Sequence, residues 1–295
     1  MDGNADKRGY LCEDFRLFHL KDSRAQQLED HYHEFDKLIL CLGGQVTYVV
    51  EGVTYFLRPW DLLLVGRGSI HRVTIDPSAP YERVVVWLGR DWLDRRGGSD
   101  TDLAACFELA RQRNFHLLRL DPEQKLRYMA AIQELEEALR SREFGGALLA
   151  DTLCQQLLIQ VNRDILKDRT AEQTDSYRVD PKMEAVLRYI GAHLTDRLDV
   201  DTLAGQFYLS RYYLMHRFKA VTGYTVHQYI NQKRLLRAGE LIRSGMPVMK
   251  AAEQSGFQEY STFLRAFQNT FHTSPRAFYG QSDRKEELHA VRDID

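Results

Sequence analysis

The chain has 295 residues, of which 44% are hydrophobic and 28% are charged, and its formal net charge is −2. That length is sufficient for two domains with separate cores, and the composition is that of a globular protein. No apolar run reaches membrane-spanning length and the N-terminus lacks an apolar signal core, so we expect a cytoplasmic protein without a membrane partner.

The charge is unevenly distributed along the chain. Residues 1–180 contain 24 Lys and Arg against 30 Asp and Glu, whereas residues 181–280 contain 13 against 7. A basic module joined to an acidic one is typical of a DNA-binding domain attached to a domain of another kind. Chance clustering of surface charge is the alternative interpretation.

The four cysteines lie far apart, at Cys12, Cys41, Cys106 and Cys154. None forms a CxxC pair or has the spacing of zinc ligands. We therefore expect small apolar core residues and no disulfide or metal centre made of cysteine.

Residues 31–88 are rich in β-branched and aromatic side chains and alternate between apolar and polar. Gly, Pro and Asp turns separate six short runs: L-I-L-C-L, V-T-Y-V-V, T-Y-F-L, D-L-L-L-V, H-R-V-T-I and R-V-V-V-W-L. This pattern predicts a small antiparallel sandwich or barrel, and a closed sheet of this kind can hold a small ligand inside.

From about residue 102 the apolar period becomes helical. Asp121 is a good N-cap and Pro122 suits a first turn, which predicts a helix to about Arg140. A second helix is predicted after Gly145-Gly146. Its apolar stripe consists of Leu149, Leu153, Leu157, Ile159 and Val161.

This second helix is predicted to end near Lys167, and the polar, aperiodic segment 168–180 that follows is interpreted as a linker. The two helices are expected to form an antiparallel hairpin that packs on the β domain or on a second subunit. A helical domain is then predicted from 181 to about 280, followed by a charged tail.

Two units in the last third of the chain, residues 204–229 and 252–278, follow one helix-turn-helix pattern. Four apolar or hydroxyl positions match at a single offset: Leu214 with Phe263, Phe218 with Phe267, Thr225 with Ser274 and Tyr229 with Phe278. Ala204 and Ala252 are one residue closer together, which predicts a longer turn in the second unit.

The second helix of each unit is predicted to have one apolar and one polar face. Leu214, Phe218 and Val221 share the inner face in the first unit, and Phe263, Phe267 and Phe271 share it in the second. The outward residues are Arg211, Tyr212, Met215, His216 and Lys219 in the first, with Tyr260, Ser261, Leu264, Arg265 and Gln268 in the second.

A helix-turn-helix places the N-terminal half of this helix in the major groove of DNA. We call this second helix of each unit its reading helix. Ser210 is a suitable N-cap for the reading helix of the first unit. Arg265 can bond guanine in a bidentate manner and Gln268 can bond adenine. Arg211 and Lys219 are better suited to phosphates.

The stretch 227–243 is predicted to be one continuous helix that joins the two units and fixes the distance between them. One protomer would then read two successive major grooves, roughly 34 Å apart. The alternative is a helical interaction domain with an accidental repeat.

Residues 200–279 resemble the double helix-turn-helix domain of the AraC-type transcription regulators. The resemblance rests on G-F-Q-E-Y-S-T-F-L-R-A-F at 256–267, the S-P that follows at 274–275, and R-L-L-R-A-G-E-L-I at 234–242. The chain departs from the family at His272, where a glycine is usual and which would be strained by about 1 kcal/mol at positive φ.

This resemblance implies a regulator of transcription that binds promoter DNA under the control of a small-molecule effector, a sugar being one class. It also implies a homodimer and, for an activator, contact with RNA polymerase. No nucleophile–base pair or phosphate loop is visible, so we expect no catalytic residue, no enzyme activity and no cofactor.

His31-Tyr32-His33 and a later His71 resemble the two histidine motifs of the cupin fold. Histidines at i and i+2 of a strand point to one face and could converge with His71. Metal-binding cupins place a Glu shortly after the first motif, but Lys37 and Leu38 stand there and Asp36 would face away.

We therefore expect a metal-free pocket, in which Trp60 or Trp87 could stack on a sugar ring, with a three-His iron or zinc site as the alternative. The candidate effector-binding residues are His31, His33, Tyr48, Trp60, His71 and Arg83.

The expected fold is an N-terminal all-β cupin-like barrel with a helical hairpin, followed by a C-terminal all-α double helix-turn-helix. The predicted segments are 1–100 (effector domain), 101–167 (dimerisation hairpin), 168–180 (linker), 181–280 (DNA-binding domain) and 281–295 (tail). Two alternatives are a metal-dependent cupin enzyme fused to a DNA-binding domain and a regulator whose N-terminal domain only dimerises.

Overall fold

The computed structural model describes residues 11, 13–22, 26–27, 31–98, 100–167, 177–178, 180–271 and 273–278. The chain divides into two compact units, Met1–Asp180 and Pro181–Asp295. No helix within these described stretches is both long and apolar enough to cross a bilayer.

The first unit is built on two antiparallel sheets of five strands each. In spatial order, the first sheet contains β1 (Phe15–Asp22), β8 (Tyr81–Leu88), β3 (Asp36–Gly43), β6 (Asp61–Val65) and β9 (Leu117–Arg119). The second contains β10 (Tyr177–Arg178), β5 (Val53–Leu57), β4 (Gln45–Val50), β7 (His71–Asp76) and β2 (Gln26–Gln27). The six strands predicted from the sequence are confirmed. Each described strand belongs to one of the two sheets, so the predicted cupin-like barrel is present as a sandwich that is not closed.

Helices pack on the outer face of the first sheet. They are α1 (Arg90–Arg96), α2 (Ala105–Arg113), α3 (Pro122–Arg140) and α4 (Gly146–Lys167). One apolar core therefore lies between the two sheets and a second lies between the first sheet and the helices. Because both faces of β6 are covered, all five of its residues are buried, whereas β5 alternates between buried and more exposed side chains.

The predicted hairpin helices are confirmed. Asp121 caps α3 through a reciprocal pair of bonds with Gln124, and Pro122 occupies the first turn. The buried face of α4 differs in part from the predicted stripe: Leu157 and Val161 are buried, but Leu149 is 52% exposed. Ala150 and Cys154 are buried in its place, because the helix is rotated by about one residue from the expected face.

Several elements were not predicted from the sequence. β1 reads F-R-L-F-H-L-K-D and lacks a clean alternation, β9 has three residues, and α1 follows β8 directly. Tyr177 and Arg178, inside the predicted linker, pair with Thr54 and Tyr55 of β5.

The second unit contains six described helices: α5 (Pro181–Ala192), α6 (Val200–Gln206), α7 (Arg211–Thr222), α8 (Val226–Arg243), α9 (Val248–Gln254) and α10 (Tyr260–Phe271). α8 is the predicted continuous connector, and Thr225 caps it with a reciprocal bond to Gln228. The turn 255–259 between α9 and α10 is one residue longer than the turn 207–210 between α6 and α7, as predicted.

Some predictions concern residues outside the described part of the chain. These are Cys12, the linker residues 168–176 and 179, the departure at His272 and the tail 281–295.

Candidate nucleic-acid interface and effector site

The reading helix of the first helix-turn-helix unit is α7. Ser210 accepts a hydrogen bond from the Tyr213 amide at 3.2 Å and so caps the helix as predicted. Leu214 and Phe218 are fully buried, while Val221 is half-buried. The predicted outward residues are all exposed: Arg211, Tyr212, Met215, His216 and Lys219.

Neighbouring side chains order part of this exposed face. One terminal nitrogen of Arg211 lies 2.6 Å and 2.8 Å from the two carboxylate oxygens of Asp201 on α6. The rings of Tyr212 and His216 lie 4.4 Å apart. The α7 face therefore offers aromatic rings and one arginine that is already paired.

The turn before α7 contains a strained residue. Tyr208 adopts φ +53°, a left-handed conformation that a residue with a side chain rarely takes, and its side chain is 97% exposed. The equivalent position in the second unit, four residues after the matched alanine, is Gly256 at φ +92°. Glycine adopts this conformation without steric cost.

The reading helix of the second helix-turn-helix unit is α10, and it buries three phenylalanines. Phe263, Phe267 and Phe271 are buried, and successive ring centroids lie 5.3 Å and 4.3 Å apart. Four predicted outward residues are exposed, namely Tyr260, Ser261, Arg265 and Gln268. Leu264 was predicted to face outward and is instead half-buried, because it packs against the phenylalanine core.

The two helix-turn-helix units are joined through α8 and the loop after α5. Arg234 of α8 donates to the carbonyls of Leu194 at 2.8 Å and Asp196 at 2.6 Å. Gly256 lies against the same loop, since a Cβ built on it would come within 2.6 Å of the Leu194 carbonyl oxygen. These contacts hold the turn between α9 and α10 against the loop that follows α5.

Three histidines meet at one end of the β sandwich, and we call His31, His33 and His71 the histidine cluster. His31 and His71 exchange backbone hydrogen bonds of 3.0 Å and 2.9 Å. The ring centroids lie 4.3–5.2 Å apart, and one potential ligand nitrogen from each ring lies within 4.8 Å of the others. The predicted convergence of these residues is therefore present.

Lys37 lies beside the histidine cluster and is only 9% exposed. The Nδ1 of His71 donates to the Ser69 carbonyl at 2.9 Å, which leaves Nε2 as an acceptor, and Lys37 Nζ lies 3.5 Å from that atom. Because Lys37 is on the first sheet and His71 on the second, this contact joins the two sheets.

Burial and neighbouring charge change the protonation of these groups. Burial, and then the nearby Arg83 guanidinium, lower the pKa of Lys37 to about 7. Burial, followed by the charge of Lys37, lowers the pKa of His33 to about 2 and that of His71 well below its usual value. His33 and His71 are therefore neutral near pH 7, whereas Lys37 changes its protonation near this pH and is the group here that gains a positive charge.

Aromatic rings pack beside the cluster. His33 stacks on Phe35 at 4.6 Å, and Trp87 lies 4.6 Å from Phe35 and 4.7 Å from Phe18. His33, Trp87 and Phe18 are half-buried, whereas Phe35 is fully covered. The group thus combines one buried aromatic ring with three half-buried rings.

The remaining predicted effector residues are divided between the two cores. Tyr48 is buried between the sheets, where the Tyr81 hydroxyl donates to its hydroxyl at 3.4 Å. Arg83 stands 4.4 Å over the Tyr81 ring and pairs with Asp22 at 2.6 Å. Trp60 packs against the helix-side core, so the structure does not bring it to the histidine cluster.

Lys37 was predicted only to be unsuitable as a metal ligand, and Phe18 and Phe35 were not among the predicted site residues. A signal for Lys37 was present, since it has the same strand parity as Ile39 and Cys41, which face the core between the sheets.

Three imidazoles at these distances resemble a transition-metal site. The His71 nitrogen left for such a metal is Nε2, and Lys37 Nζ lies 3.5 Å from it, on the side from which a metal would bind. The lysine therefore makes this group a poorer fit to a metal than three histidines alone.

The described cysteines are buried, as expected for apolar core residues. Burial raises the pKa of the Cys41 thiol to about 12 and also raises those of Cys106 and Cys154. A buried thiol with a raised pKa is a poor nucleophile.

Comparison with known proteins matches both units to families. Residues 18–158 match the AraC-like ligand binding domain and residues 203–281 match a helix-turn-helix domain. The regulatory protein PocR of Salmonella typhimurium is 32% identical over 150 residues, or 48% of this chain and 49% of PocR. The HTH-type transcriptional activator RhaR of Pectobacterium atrosepticum is 25% identical over 259 residues, or 84% of each chain.

Among solved structures, ToxT from Vibrio cholerae aligns over 90% of this chain and 98% of its own, with 16% identity and a TM-score of 0.36. The order of the two matched families along the chain, ligand-binding first and helix-turn-helix second, agrees with the two units of the fold. The chain belongs to the AraC-type transcription regulators, with an N-terminal ligand-binding domain and a C-terminal DNA-binding domain.

Proposed function

We propose that each protomer reads two successive major grooves of promoter DNA, one with α7 and one with α10, and that an effector in the N-terminal domain controls this binding. The observation that carries the proposal is the exposure of the matched outward faces of both helices, which are joined by the continuous helix α8. A rigid connector holds two reading helices at one spacing, which suits grooves roughly 34 Å apart.

The two half-sites differ in chemistry. Arg265 is exposed and forms no ion pair within the described part of the chain, so its guanidinium is available for a bidentate bond to guanine. Gln268, one turn further along α10, suits adenine. On α7, the rings of Tyr212 and His216 together with Met215 suit apolar contact with thymine methyl groups, while Arg211 and Lys219 suit phosphates.

The proposed active species is a homodimer formed through the hairpin of residues 101–167. Apolar side chains are exposed on both of its helices, among them Leu126 and Met129 on α3 and Leu148 and Leu149 on α4. Exposed apolar side chains along both helices of a folded domain suit a protein contact. Two DNA-binding domains in one dimer raise the apparent affinity through effective concentration.

Regulation is proposed to act as a population shift. An effector that binds one arrangement of the dimer more tightly than another favours that arrangement, and with it one presentation of the DNA-binding domains. For an activator, the arrangement favoured on DNA would also contact RNA polymerase.

Selection from a library of random DNA duplexes tests the reading of two grooves. The full chain should enrich sites with two dissimilar half-sites whose centres are about 10 base pairs apart. Arg265→Ala should relax the sequence preference in one half-site, and Met215→Ala should relax it in the other.

Arg188→Ala is the matched control, because this exposed arginine lies on α5 and pairs with Glu184. It should leave the selected sequence unchanged. Enrichment of a single half-site, or a uniform loss of affinity in Arg265→Ala on all sequences, would contradict the proposed roles.

A further inference from the structure

The ligand-binding domain contains a buried positive charge that the described residues do not neutralise. Lys37 is 9% exposed, and the polar group nearest to Nζ is the His71 imidazole, not a carboxylate. The neighbouring Arg83 adds positive charge, and its own partner Asp22 is a 41% exposed carboxylate. Among the described residues, no Asp or Glu forms an ion pair with Lys37.

A buried charge without a counter-ion is unfavourable, because water no longer solvates it and no partner compensates. Burial accordingly depresses the pKa of Lys37 to about 7. An apolar residue of similar length would fill the same space without this cost. The arrangement is therefore suited to an anion that arrives from outside and completes the ion pair.

The surroundings limit what the anion can be. The His33 Nδ1 atom is buried and has no hydrogen-bond partner within the described residues, which leaves it available to a second oxygen of the same ligand. Half-buried aromatic rings lie beside it, since Trp87 is 6.3 Å from His33 and 4.7 Å from Phe18 between ring centroids. Lys37 supplies one positive charge, which matches a carboxylate better than a dianionic phosphate.

We propose that the effector is a small aromatic carboxylate, whose carboxylate pairs with Lys37 and the histidine cluster while its ring packs on Trp87 and Phe18. This inference rests on the proposed function, in which the N-terminal domain binds the effector. It replaces a neutral sugar with a monoanion as the class of ligand.

Binding of three probes to the full chain tests the inference: benzoate, phenylacetate and cinnamate, which carry one carboxylate at increasing distance from the ring. At least one should bind in calorimetry and change the fluorescence of the protein. Benzyl alcohol, phenyl phosphate, glucose and Zn²⁺ serve as comparisons for the neutral ring, the dianion, the sugar and the metal. Each should bind at least about tenfold more weakly than the best carboxylate, as expected when one charge-assisted bond is lost.

Lys37→Met removes the charge and keeps an unbranched apolar side chain. This substitution should weaken binding of the best carboxylate at least about tenfold and leave the thermal unfolding transition of the protein intact. Lys21→Met is the matched control, since Lys21 is 61% exposed on β1 and pairs with Glu82. It should change carboxylate affinity by less than about twofold.

The inference would be overturned if no carboxylate binds, if benzyl alcohol or glucose binds as tightly as the carboxylates, or if Lys37→Met binds the carboxylates like the wild type. Stronger binding of phenyl phosphate or Zn²⁺ would also overturn it, in favour of a phosphate or a metal site. The comparison of probes on the wild-type chain does not depend on any variant folding.

DNA selection by the same preparation separates this inference from the function on which it rests. A chain that selects two half-sites but ignores every carboxylate refutes the ligand class alone. A chain that binds a carboxylate but selects no DNA refutes the proposed reading of DNA.

Discussion

The two helix-turn-helix units share one framework but differ in how their turns and reading helices are supported. In the second helix-turn-helix unit, Gly256 gives an unstrained left-handed turn and three buried phenylalanines that contact one another hold α10. In the first, Tyr208 occupies the left-handed position and aromatic side chains of α7 lie on the surface. The second helix-turn-helix unit therefore has an unstrained turn and a firmly packed reading helix. The first has a strained turn and a reading helix with more exposed aromatic side chains.

The largest expected effect comes from Gly256→Ala. Its Cβ would approach the Leu194 carbonyl oxygen to 2.6 Å at a φ of +92°, so both a clash and backbone strain arise. We expect a loss of about 3 kcal/mol or more in the free energy of unfolding, measured by denaturant titration. Gly205→Ala, on α6 with no atom near the added Cβ, should be neutral or stabilising, and equal losses in both variants would refute the close approach.

Arg234→Met should have the next largest effect. It removes the donors to the Leu194 and Asp196 carbonyls, and we expect a loss of about 1–3 kcal/mol in the free energy of unfolding. Arg188→Met on α5 should change it by less than about 0.5 kcal/mol, because its ion pair with Glu184 is exposed. A wild-type stability for Arg234→Met would mean that α8 does not hold this loop.

Tyr208→Gly should increase stability by about 0.5–1 kcal/mol, because glycine removes the strain at φ +53° and the tyrosine side chain is 97% exposed. Tyr208→Ala keeps the strain and serves as the control, which should show no gain. Thermal denaturation checks both. A loss of stability in Tyr208→Gly would show that the tyrosine side chain stabilises the turn.

Asp201→Asn should have the smallest effect on folding, less than about 0.5 kcal/mol, because its pair with Arg211 is exposed on both sides. It should raise DNA affinity about threefold and steepen the salt dependence, because Arg211 becomes free for a phosphate. Glu184→Gln on α5 is the matched control. DNA affinity unchanged from wild type would remove Arg211 from the set of DNA contacts.

The helical repeat could be predicted in detail because amphipathic spacing and caps are local properties. The Ser210 cap and the buried faces of α7 and α10 follow from residue type and spacing alone. The strained turn at Tyr208 was harder to predict from the sequence. The sequence indicated strain at His272 instead, because a glycine is usual at that position. Among the described residues of the two helix-turn-helix units, Tyr208 is the non-glycine residue with positive φ, a conformation that depends on how the whole unit packs.

The effector site was only partly predictable. Convergence of His31, His33 and His71 follows from strand parity and the cupin-like spacing, whereas the approach of Lys37 to His71 depends on the pairing of strands in two different sheets. Trp60 was a reasonable aromatic candidate, but its place in a turn with φ +72° directs it to the helix-side core. Sequence spacing does not determine which of two cores a turn residue joins.

Hydroxyl-radical footprinting of the full chain on a selected DNA site is the most direct test of paired reading by unequal units. We expect two protected patches per protomer, about one helical turn apart. Arg265→Ala should weaken only the patch bound by α10, and Met215→Ala only the patch bound by α7. One patch per protomer, or equal weakening of both patches by either substitution, would contradict the assignment of one reading helix to each groove.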